Sequence, residues 1–383
     1  MKAILISCFD WYEKRLKPIR EILEYKNYDV KILTSDFDHI RKNYITNKNN
    51  LKGCQYVHVS SYKRNISIRR LYSHFSFAHS IYTILEKENP DLVYALLPPN
   101  SVAKYCIKYK QKHEDKKVIF DVIDMWPESM PINSIKKTIP YLMWKNMRDK
   151  NIAKADYVFL ECDLYQKELK ACQPSNFSTL HLFKEQTENE KQLIRSMVKA
   201  KNDFNCAENT MILGYVGSIN NIIDIVSIRQ LVGLLSKEYQ VEVRVIGEGE
   251  NRKTLLAELE KENVKVKYYG ELYEENKKIE ILTPCDFALN IMKDSVKVGL
   301  TIKSIDYFSY GIPIINNIKG DTWKIVEDKN VGINFNQQSF LNDIRKYRKK
   351  GNMHVAVLDV YDDLFSKKAF VRQVEKGINE KYV

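Results

Sequence analysis

Residues 298–316 read VGLTIKSIDYFSYGIPIIN. The pattern predicts a loop, then a helix that ends at Gly311, then an apolar strand that begins after Pro313. A helix that starts in such a loop presents unpaired backbone amides, and in doubly wound sheets ligands bind at the carboxyl ends of the strands. The stretch therefore favours an α/β fold with a ligand site at the start of this helix.

The first turns of this predicted helix carry groups that suit a nucleoside diphosphate. The amides of Leu300 and Thr301 can bind a diphosphate. Lys303 and Asp306 are three residues apart and share one helix face, which brings together a cation for phosphate and a carboxylate for ribose hydroxyls. The alternative interpretation is a surface salt bridge between these two residues.

Around this stretch, short apolar runs rich in β-branched residues alternate with helical patterns, which predicts parallel sheets of βαβ units. The predicted strands are residues 3–6, 30–34, 92–96, 118–122 and 157–161 in the first half, and residues 212–216, 242–246, 264–268, 287–290 and 314–316 in the second. One helical pattern of the first half has an apolar face made by Leu71, Phe75, Ala78, Tyr82 and Leu85.

A polar stretch without strand signals, residues 184–208, separates the two series. The 383 residues of the chain also exceed the roughly 250–300 at which a single core stops growing. We therefore predict two doubly wound, Rossmann-like domains that face each other across a cleft, residues 1–195 and residues 205–358. The helical segment at about residues 360–383 is expected to pack back on the first domain.

Two further glycine turns follow predicted strands of the second half. The first holds Gly217, Ser218 and Asn220 and suits a phosphate or a sugar hydroxyl; its alternative is a plain βα connection. The second, at residues 247–252, leads to cations such as Arg252 in a first helical turn, where the helix dipole disfavours them. An anion bound there, or a solvated charge pair, would account for Arg252.

Taken in order, these motifs have a family resemblance. Gly217-Ser218, Gly247-x-Gly249-x-x-Arg252, Tyr269-Gly270-Glu271-Leu272-Tyr273, Cys285-Asp286, Lys303-x-x-Asp306-Tyr307 and Gly311-x-Pro313 follow one another over most of residues 211–335. This half resembles the C-terminal domain of family 4 glycosyltransferases with the GT-B fold. In the first half, residues 121–129, DVIDMWPES, are similar to a strand-end motif of the members that build bacterial capsular polysaccharide and exopolysaccharide.

The resemblance implies that the second domain binds a nucleotide-sugar, and a UDP-sugar above all. By the same resemblance Asp306 binds the ribose, Lys303 and Arg252 bind the diphosphate, and the loop at residues 270–273, with Tyr273, contacts the base.

The chain departs from the family at two places. The family often has two glutamates eight residues apart, and Val298 and Asp306 stand at those positions here. The turn after Gly217 also lacks the arginine and lysine of the family. The phosphate charge is therefore expected to be met mainly by Arg252, Lys293 or Lys303, or by a group that the sequence does not identify.

Candidate catalytic residues lie in the first half. Asp124 comes just after the predicted strand 118–122, where it can orient the acceptor hydroxyl or take its proton; the alternative is a helix N-cap. Glu128 can share that task, and the two carboxylates, four residues apart, would raise one another's pKa if both were buried. His74, on the polar flank of the helix with Leu71, is a third candidate, with an ordinary surface or cleft-wall histidine as the alternative.

Composition limits the partners. The seven cysteines form no C-x-x-C pair and there is no convincing D-x-D or His/Cys cluster, so we expect reduced thiols in the cytoplasm, no metal and no cofactor beyond the donor. The net charge of +12 implies an anionic partner. The basic runs at residues 62–70 and 136–148 suit the anionic inner face of the cell membrane, with a solvated basic face as the alternative. No nucleic-acid module accompanies them.

These observations predict a metal-independent, hexosyltransferase-type enzyme. It would move a sugar from a nucleotide-diphosphate sugar to a lipid-linked or oligosaccharide acceptor in surface polysaccharide or glycoconjugate biosynthesis, and the resemblance favours retention of configuration. The alternative is a catalytically silent GT-B protein that binds a sugar nucleotide or partners a true transferase. The sequence leaves the oligomeric state open.

Overall fold

The computed structural model describes residues 1–9, 12–45, 54–65, 67–130, 138–169, 176–203, 209–296, 298–349 and 353–379. The chain forms two compact units. The first consists of Met1–His181 and Phe370–Val383, and the second of Leu182–Ala369. The units therefore group residues 182–195 with the second half of the chain, whereas the sequence interpretation assigned them to the first.

The first unit is built on a parallel sheet with the strand order β5-β2-β1-β6-β7-β8-β9. A two-stranded antiparallel pair, β3 with β4, lies apart from it. The strands are β1 (Lys2–Ser7), β2 (Asp29–Ser35), β3 (Phe37–Asp38), β4 (Asn43–Tyr44), β5 (Cys54–Val57), β6 (Leu92–Leu97), β7 (Lys117–Val122), β8 (Tyr157–Leu160) and β9 (Phe177–Thr179).

The helices of the first unit are α1 (Glu13–Tyr25), α2 (Ile68–Glu88), α3 (Asn100–Lys112), α4 (Ile139–Ile152) and α5 (Asp163–Glu168). The last helix of the chain, α14 (Lys367–Asn379), belongs mostly to this unit. A Cβ atom added at Gly377 would lie 2.6 Å from the Phe159 ring and 3.0 Å from the Tyr157 ring. This close approach to β8 confirms that the C-terminal helix packs on the first half.

The second unit has a parallel sheet with the order β12-β11-β10-β13-β14-β15. Counted from its first strand the order is 3-2-1-4-5-6, the doubly wound arrangement in which the crevice for a ligand lies where the order reverses. Here that point lies between β10 and β13. The strands are β10 (Thr210–Val216), β11 (Gln240–Ile246), β12 (Val264–Tyr268), β13 (Phe287–Asn290), β14 (Ile314–Asn316) and β15 (Gly332–Asn334).

Helices cover this sheet, and an apolar core that includes Leu213, Leu231, Val243 and Phe287 fills the space between the layers. The helices are α6 (Glu188–Asp203), α7 (Ile225–Leu235), α8 (Arg252–Glu260), α9 (Glu275–Leu282), α10 (Ile302–Ser309), α11 (Asp321–Lys329), α12 (Phe340–Arg348) and α13 (Met353–Val360), with a π-helical turn at Tyr361–Phe365. Helix α6 lies in the stretch that the sequence interpretation treated as a linker.

All ten predicted strands are present, which confirms the α/β fold. Five strands lay outside the prediction, and each is short or only half-buried: β3 and β4 of the small hairpin, and β5, β9 and β15 at the sheet edges. The predicted apolar face of α2 is partly wrong. Helix α2 buries Ser73, His74, Phe77 and Ile81 and leaves Leu71 and Phe75 exposed. The buried face is therefore rotated towards Ser73 and His74, and the His74 ring stacks on Trp126.

Candidate functional site

Three turns at the carboxyl ends of β10, β11 and β12 are bonded to one another. The amide of Gly217 donates to the Ile246 carbonyl (3.0 Å) and the amide of Gly247 donates to the Gly270 carbonyl (2.8 Å). A Cβ atom added at Gly247 would lie 2.0 Å from the Gly217 carbonyl oxygen, and one at Gly249 would lie 2.3 Å from the Ile219 carbonyl oxygen. The glycines are therefore required by the close approach of two backbones as well as by their positive φ angles.

Helix α10 starts beside these turns, as predicted from residues 298–316. Thr301 is its N-cap, and the Thr301 hydroxyl accepts a hydrogen bond from the Ser304 amide (3.1 Å). Leu300 and Thr301 are both largely buried. Neither the first turn of α10 nor its N-cap carries an acidic residue. No carboxylate of these residues therefore occupies the positive end of the helix dipole, where a bound anion would be stabilised.

Lys303 connects α10 to the Gly217 turn. Its ammonium donates to the Tyr215 hydroxyl (2.5 Å) and to the Ser218 carbonyl (3.3 Å), and it lies 4.3 Å from the centre of the Tyr215 ring. The end of its methylene chain is 2.8 Å from the position of a Cβ added at Gly217. Burial lowers the pKa of Lys303 to about 8. A cation with neutral partners at this position can pair with an incoming phosphate.

A ladder of three asparagines, which the sequence analysis missed, supports the start of α10. Asn290, Asn316 and Asn334 occupy paired positions on β13, β14 and β15. The Asn290 amide donates to Asn316 (2.8 Å) and to the Ser304 hydroxyl (3.0 Å), and the Asn316 amide donates to Asn334 (2.8 Å). The only sequence signal is that three strands each end in asparagine. Together the side chains fix the cap of α10 to the sheet.

Asp306 lies one turn further along α10 in a charged cluster. Its carboxylate accepts from Lys184 (2.8 Å), which also contacts the Tyr310 hydroxyl (2.9 Å) and Glu275 (2.5 Å). Burial acts to raise the pKa of Glu275, but Lys184 and Tyr310 hold it at about 2. The structure thus gives Asp306 its ion pair with Lys184 and not the predicted alternative, Lys303. A ribose that binds Asp306 must share or displace Lys184.

The other predicted donor contacts lie around the same turns. Arg252 pairs with Glu248 (2.7 Å) and lies over the Tyr268 ring, as in the charge-pair alternative. The Asn220 side chain accepts from the Ile222 amide (3.2 Å), and the backbone amide of Lys293 donates to the Ile222 carbonyl (3.0 Å). The Lys293 side chain is exposed. Tyr273 is exposed and donates to Glu271 (2.7 Å).

In the first unit, Asp124 follows β7 and is largely buried. Its carboxylate accepts hydrogen bonds from the Trp126 indole (2.6 Å) and from the Ser129 hydroxyl (2.5 Å). Burial raises the pKa of Asp124, and the two hydrogen bonds partly oppose this. The side chain bonds groups two and five residues further on, in the manner of a local turn cap. Because its pKa is raised, this carboxylate is a stronger proton acceptor than an exposed aspartate.

Glu128 has a different environment from the predicted one. Both of its carboxylate oxygens accept from Arg148 (2.9 and 2.7 Å), which is fully buried and also pairs with Asp149 (2.7 Å). The principal neighbour of the Glu128 carboxylate is thus a cation, and Glu128 is not among the causes of the raised pKa of Asp124. The raised pKa of Asp124 thus comes from burial and not from Glu128.

His74 is also placed differently. It is 3% exposed, stacks on Trp126 (ring centres 5.8 Å apart, 20° between planes) and meets Phe9 edge-on. Burial, followed by the charge of Arg70, lowers the pKa of His74 well below its ordinary value, so the ring is neutral at pH 7. The surface-histidine alternative is therefore wrong. Its Nε2 atom has no hydrogen-bond partner among the described residues.

The basic run at residues 136–148 was interpreted as a membrane-facing surface. Lys136 and Lys137 lie outside the described residues. Arg148 is buried, and Lys145 is bonded to Asp149. These two cations neutralise neighbouring carboxylates: both contact Glu128, which lies outside α4, and both contact Asp149 of α4 itself. The prediction that Arg148 lies on a membrane-facing surface was therefore wrong.

In the described part of the chain, no three His, Cys, Asp or Glu side chains are grouped so as to hold a metal ion. No helix in these same ranges combines the length and apolar character needed to cross a bilayer.

Comparisons with known proteins bear on the fold. No protein-family model matches the sequence, and no curated protein sequence matches it either. Solved structures do match. Sucrose-phosphate synthase from Thermosynechococcus elongatus is 12% identical with a TM-score of 0.68, over 99% of this chain and 98% of that one. The lipopolysaccharide outer core galactosyltransferase WaaB, in its apo form, is 15% identical with a TM-score of 0.65, over 100% of both chains.

A third structure, Anabaena HepE in complex with UDP-glucose, is 12% identical with a TM-score of 0.60, over 99% of each chain. All three matches extend over both units of the chain. The two parallel α/β sheets and these full-length matches identify the fold of this chain as that of the GT-B glycosyltransferases.

Proposed function

We propose that this chain is a glycosyltransferase that moves a sugar from a nucleotide-diphosphate sugar to a glycan acceptor. One observation carries the proposal. At the switch point of the second sheet, the start of α10 and the Gly217 turn lie together, with Lys303 between them. Helix amides and a cation beside a glycine turn are the groups that bind a diphosphate.

A UDP-sugar is the donor that we propose. HepE, a structure with the same fold, is described in complexes with UDP-glucose and with UDP. WaaB is named as a galactosyltransferase. These names support a hexose on a uridine nucleotide, with Asp306 as the ribose contact and the loop that holds Tyr273 as the base contact.

The chemistry would depend on the stabilisation of a departing diphosphate. The α10 amides and Lys303 would bind the negative charge that develops as the glycosidic bond breaks, so we propose a metal-independent reaction. In the first unit, Asp124 would orient the acceptor hydroxyl or accept its proton. We propose retention of configuration from the family resemblance alone.

We propose a lipid-linked or oligosaccharide acceptor and a location at the inner face of the cell membrane, in surface polysaccharide or glycoconjugate biosynthesis. Exposed Lys63, Arg64 and Arg69 beside exposed Ile68 support contact with an anionic surface. These residues of the basic run 62–70 are exposed, as contact with a membrane requires, whereas Arg148 is buried.

The test measures binding and turnover separately. UDP binding is measured by calorimetry with and without EDTA, and release of nucleoside diphosphate is then followed with a panel of UDP-sugars and lipid-linked acceptors. Lys303→Ala should weaken UDP binding by about tenfold or more, the loss of a charge-assisted hydrogen bond. Lys324→Ala, at an exposed position on α11 of the same unit, is the matched control. Equal affinities of the two variants would contradict the proposed donor site.

The catalytically silent protein remains a second candidate because of two observations. Asp306 already has Lys184 as its ion-pair partner, and Val298 stands where the family often has a glutamate. If UDP-sugars bind and Lys303→Ala weakens that binding, but no acceptor in the panel is glycosylated, the silent protein is favoured. Turnover that Asp306→Ala lowers would exclude it.

A further inference from the structure

An apolar groove runs along the exposed side of α2 in the first unit. Ile68 is 86% exposed, Leu71 42%, Tyr72 64% and Phe75 38%. A cavity of about 340 Å³ lies between this helix and α4, and a second hollow of about 490 Å³ continues from it along α2 to His79. Ile68 and Leu71 line both, so the two are continuous. From Ile68 to His79 the helix extends about 16 Å.

One end of this groove holds an unusual cation. Arg70 lines the first cavity, is 9% exposed and has no ion-pair partner among the described residues. Its guanidinium donates to the Asn65 carbonyl (2.8 Å) and lies 4.3 Å from the centre of the Trp126 ring, while its Nε atom bonds nothing in the described structure. The charge of Asp124 acts on Arg70 from a distance and forms no ion pair with it. A buried arginine that pairs with no carboxylate is costly unless an anion joins it.

The start of α2 adds to the positive potential at this end. Ser67 caps the helix, and the first turn contains Arg69 and Arg70 but no acidic residue. Helix dipoles favour anions at this position, so two cations there raise the attraction for a negative group from outside. The remaining wall, formed by Met130, Pro140, Tyr141 and Trp144, is apolar or aromatic.

We propose that this groove binds an anionic amphiphile, with a phosphate group at Arg70 and a hydrocarbon chain along Ile68, Leu71 and Phe75. A phosphate oxygen pairs with the planar guanidinium, and a chain of about ten carbons covers the exposed apolar residues. A membrane phospholipid and a lipid-phosphate acceptor share this chemistry. The site belongs to the first unit and does not rest on the donor site; only its use for an acceptor rests on the proposed function.

The groove contains its own reporters, because Trp126 and Trp144 line it. The full-length protein is titrated with decyl phosphate below its micellar concentration, and tryptophan fluorescence is recorded. We expect saturable binding, with an affinity about tenfold or more above that for uncharged decyl maltoside. Equal affinities would overturn the phosphate role of Arg70, and an absence of saturable binding would overturn the site.

Variants test the two ends of the groove. Arg70→Gln should weaken decyl phosphate binding by about tenfold, whereas Arg69→Gln, an exposed neighbour, should change it by less than about threefold. Ile68→Glu should weaken binding as well. Because Ile68 is exposed, this change should not disturb folding, so weaker binding would not result from misfolding. Because Arg70 is buried, thermal unfolding is used to check that the Arg70→Gln variant is folded. If Arg70→Gln and Arg69→Gln bind alike, or if Ile68→Glu binds like the parent, the proposal fails.

Vesicles distinguish the two sources of the phosphate. One arm uses phosphatidylglycerol vesicles and the other phosphatidylcholine vesicles that contain an isoprenyl phosphate. Cosedimentation that depends on Arg70 in the first arm identifies membrane phospholipid as a ligand, and in the second arm a lipid-phosphate acceptor. Cosedimentation in neither arm overturns the proposal. UDP affinity is measured in parallel: its absence with retained decyl phosphate binding contradicts only the proposed function.

Discussion

The guanidinium of Arg15 forms a two-pronged ion pair with the Asp121 carboxylate in the interior of the first unit, with N–O distances of 2.7 and 2.8 Å. Both side chains are buried. The Tyr94 hydroxyl donates to the same carboxylate (2.8 Å), and Arg15 also donates to the Leu180 carbonyl (2.8 Å). Asp121, the first residue of the 121–129 motif, thus has a structural role and does not extend the candidate catalytic group.

Removal of one partner of this pair should be far more harmful than removal of both. Arg15→Met or Asp121→Leu alone leaves a buried charge and should cost about 3–5 kcal/mol. The triple variant, in which Tyr94→Phe also removes the hydroxyl, should cost clearly less than either Arg15→Met or Asp121→Leu alone. Urea unfolding monitored by circular dichroism measures the difference. Additive losses would contradict the coupling.

Donor binding should depend on the protonation of Lys303. Its pKa of about 8 means that the ammonium form is present below pH 8 and is lost as the pH rises through this value. The terminal phosphate of the ligand ionises at about pH 6, so it stays charged over this range. UDP affinity should therefore fall by about tenfold between about pH 7 and about pH 9.5.

The corresponding control is Lys303→Ala, whose weak binding should show no slope near pH 8. Calorimetry at about pH 8.5, in buffers with different heats of ionisation, should also detect proton uptake on UDP binding, since the phosphate raises the pKa of the lysine. The stability of the free protein depends on pH in the opposite direction from UDP affinity. The lowered pKa penalises the charged lysine, so stability rises as the pH increases from about 8 towards the ordinary lysine value. A pH-independent affinity would refute this assignment.

The Gly217 and Gly247 turns approach each other closely, so alanine should have different effects at Gly247 and at Gly270. Gly247→Ala places a Cβ 2.0 Å from the Gly217 carbonyl oxygen, against backbone that cannot move without disturbing the turn. It should destabilise the second unit by at least about 2 kcal/mol. At Gly270 nothing lies within 4 Å of the added Cβ, although φ is +69°. Gly270→Ala should cost only about 1 kcal/mol. Thermal unfolding compares the two variants. Similar losses of stability would be evidence against the close approach of the Gly247 and Gly217 backbones.

Asp124 should affect turnover more than stability. Because burial raises its pKa, the folded state penalises the carboxylate, and this penalty grows as the pH rises above the unfolded value. Asp124→Asn removes the penalty at pH 7 and should leave stability unchanged or slightly higher. If Asp124 takes the acceptor proton, kcat should fall by about 100-fold or more.

Ser129→Ala provides the conservative test of Asp124. Loss of the Ser129 hydrogen bond, which favours the carboxylate, should raise the pKa of Asp124 further. The acidic limb of the turnover profile should then move to higher pH, with little change in the maximum. A kcat for Asp124→Asn close to that of the parent, or an unmoved acidic limb for Ser129→Ala, would argue for a purely structural carboxylate.

Sequence reasoning located the inner strands well because they are buried on both faces. Every residue of β6, Leu92–Leu97, is buried, so the apolar run is continuous. The edge strand β9, Phe177–Thr179, is only half-buried and has no such signal. Helix α2 misled the prediction for a related reason. An apolar stripe normally indicates the core face, but here Leu71 and Phe75 line an exposed groove.

The candidate site was predictable only where its signal is local. The glycine turns at Gly217 and Gly247 follow strands directly, and their patterns can be identified from sequence. The contact between them depends on neighbouring strands, and the pair of Lys184 with Asp306 joins residues 122 positions apart. The buried state of His74 depends on Trp126, which follows another strand. No spacing rule predicts contacts of this kind.

The asparagine ladder determines how titrations of this protein can be interpreted. Amide groups neither gain nor lose protons in the range where proteins remain folded. Asn290, Asn316 and Asn334 should therefore hold the cap of α10 in one geometry in acid and in alkali alike. A change in UDP affinity near pH 8 would then reflect the altered charge of Lys303 alone. The start of α10 would keep the same geometry on both sides of that pH.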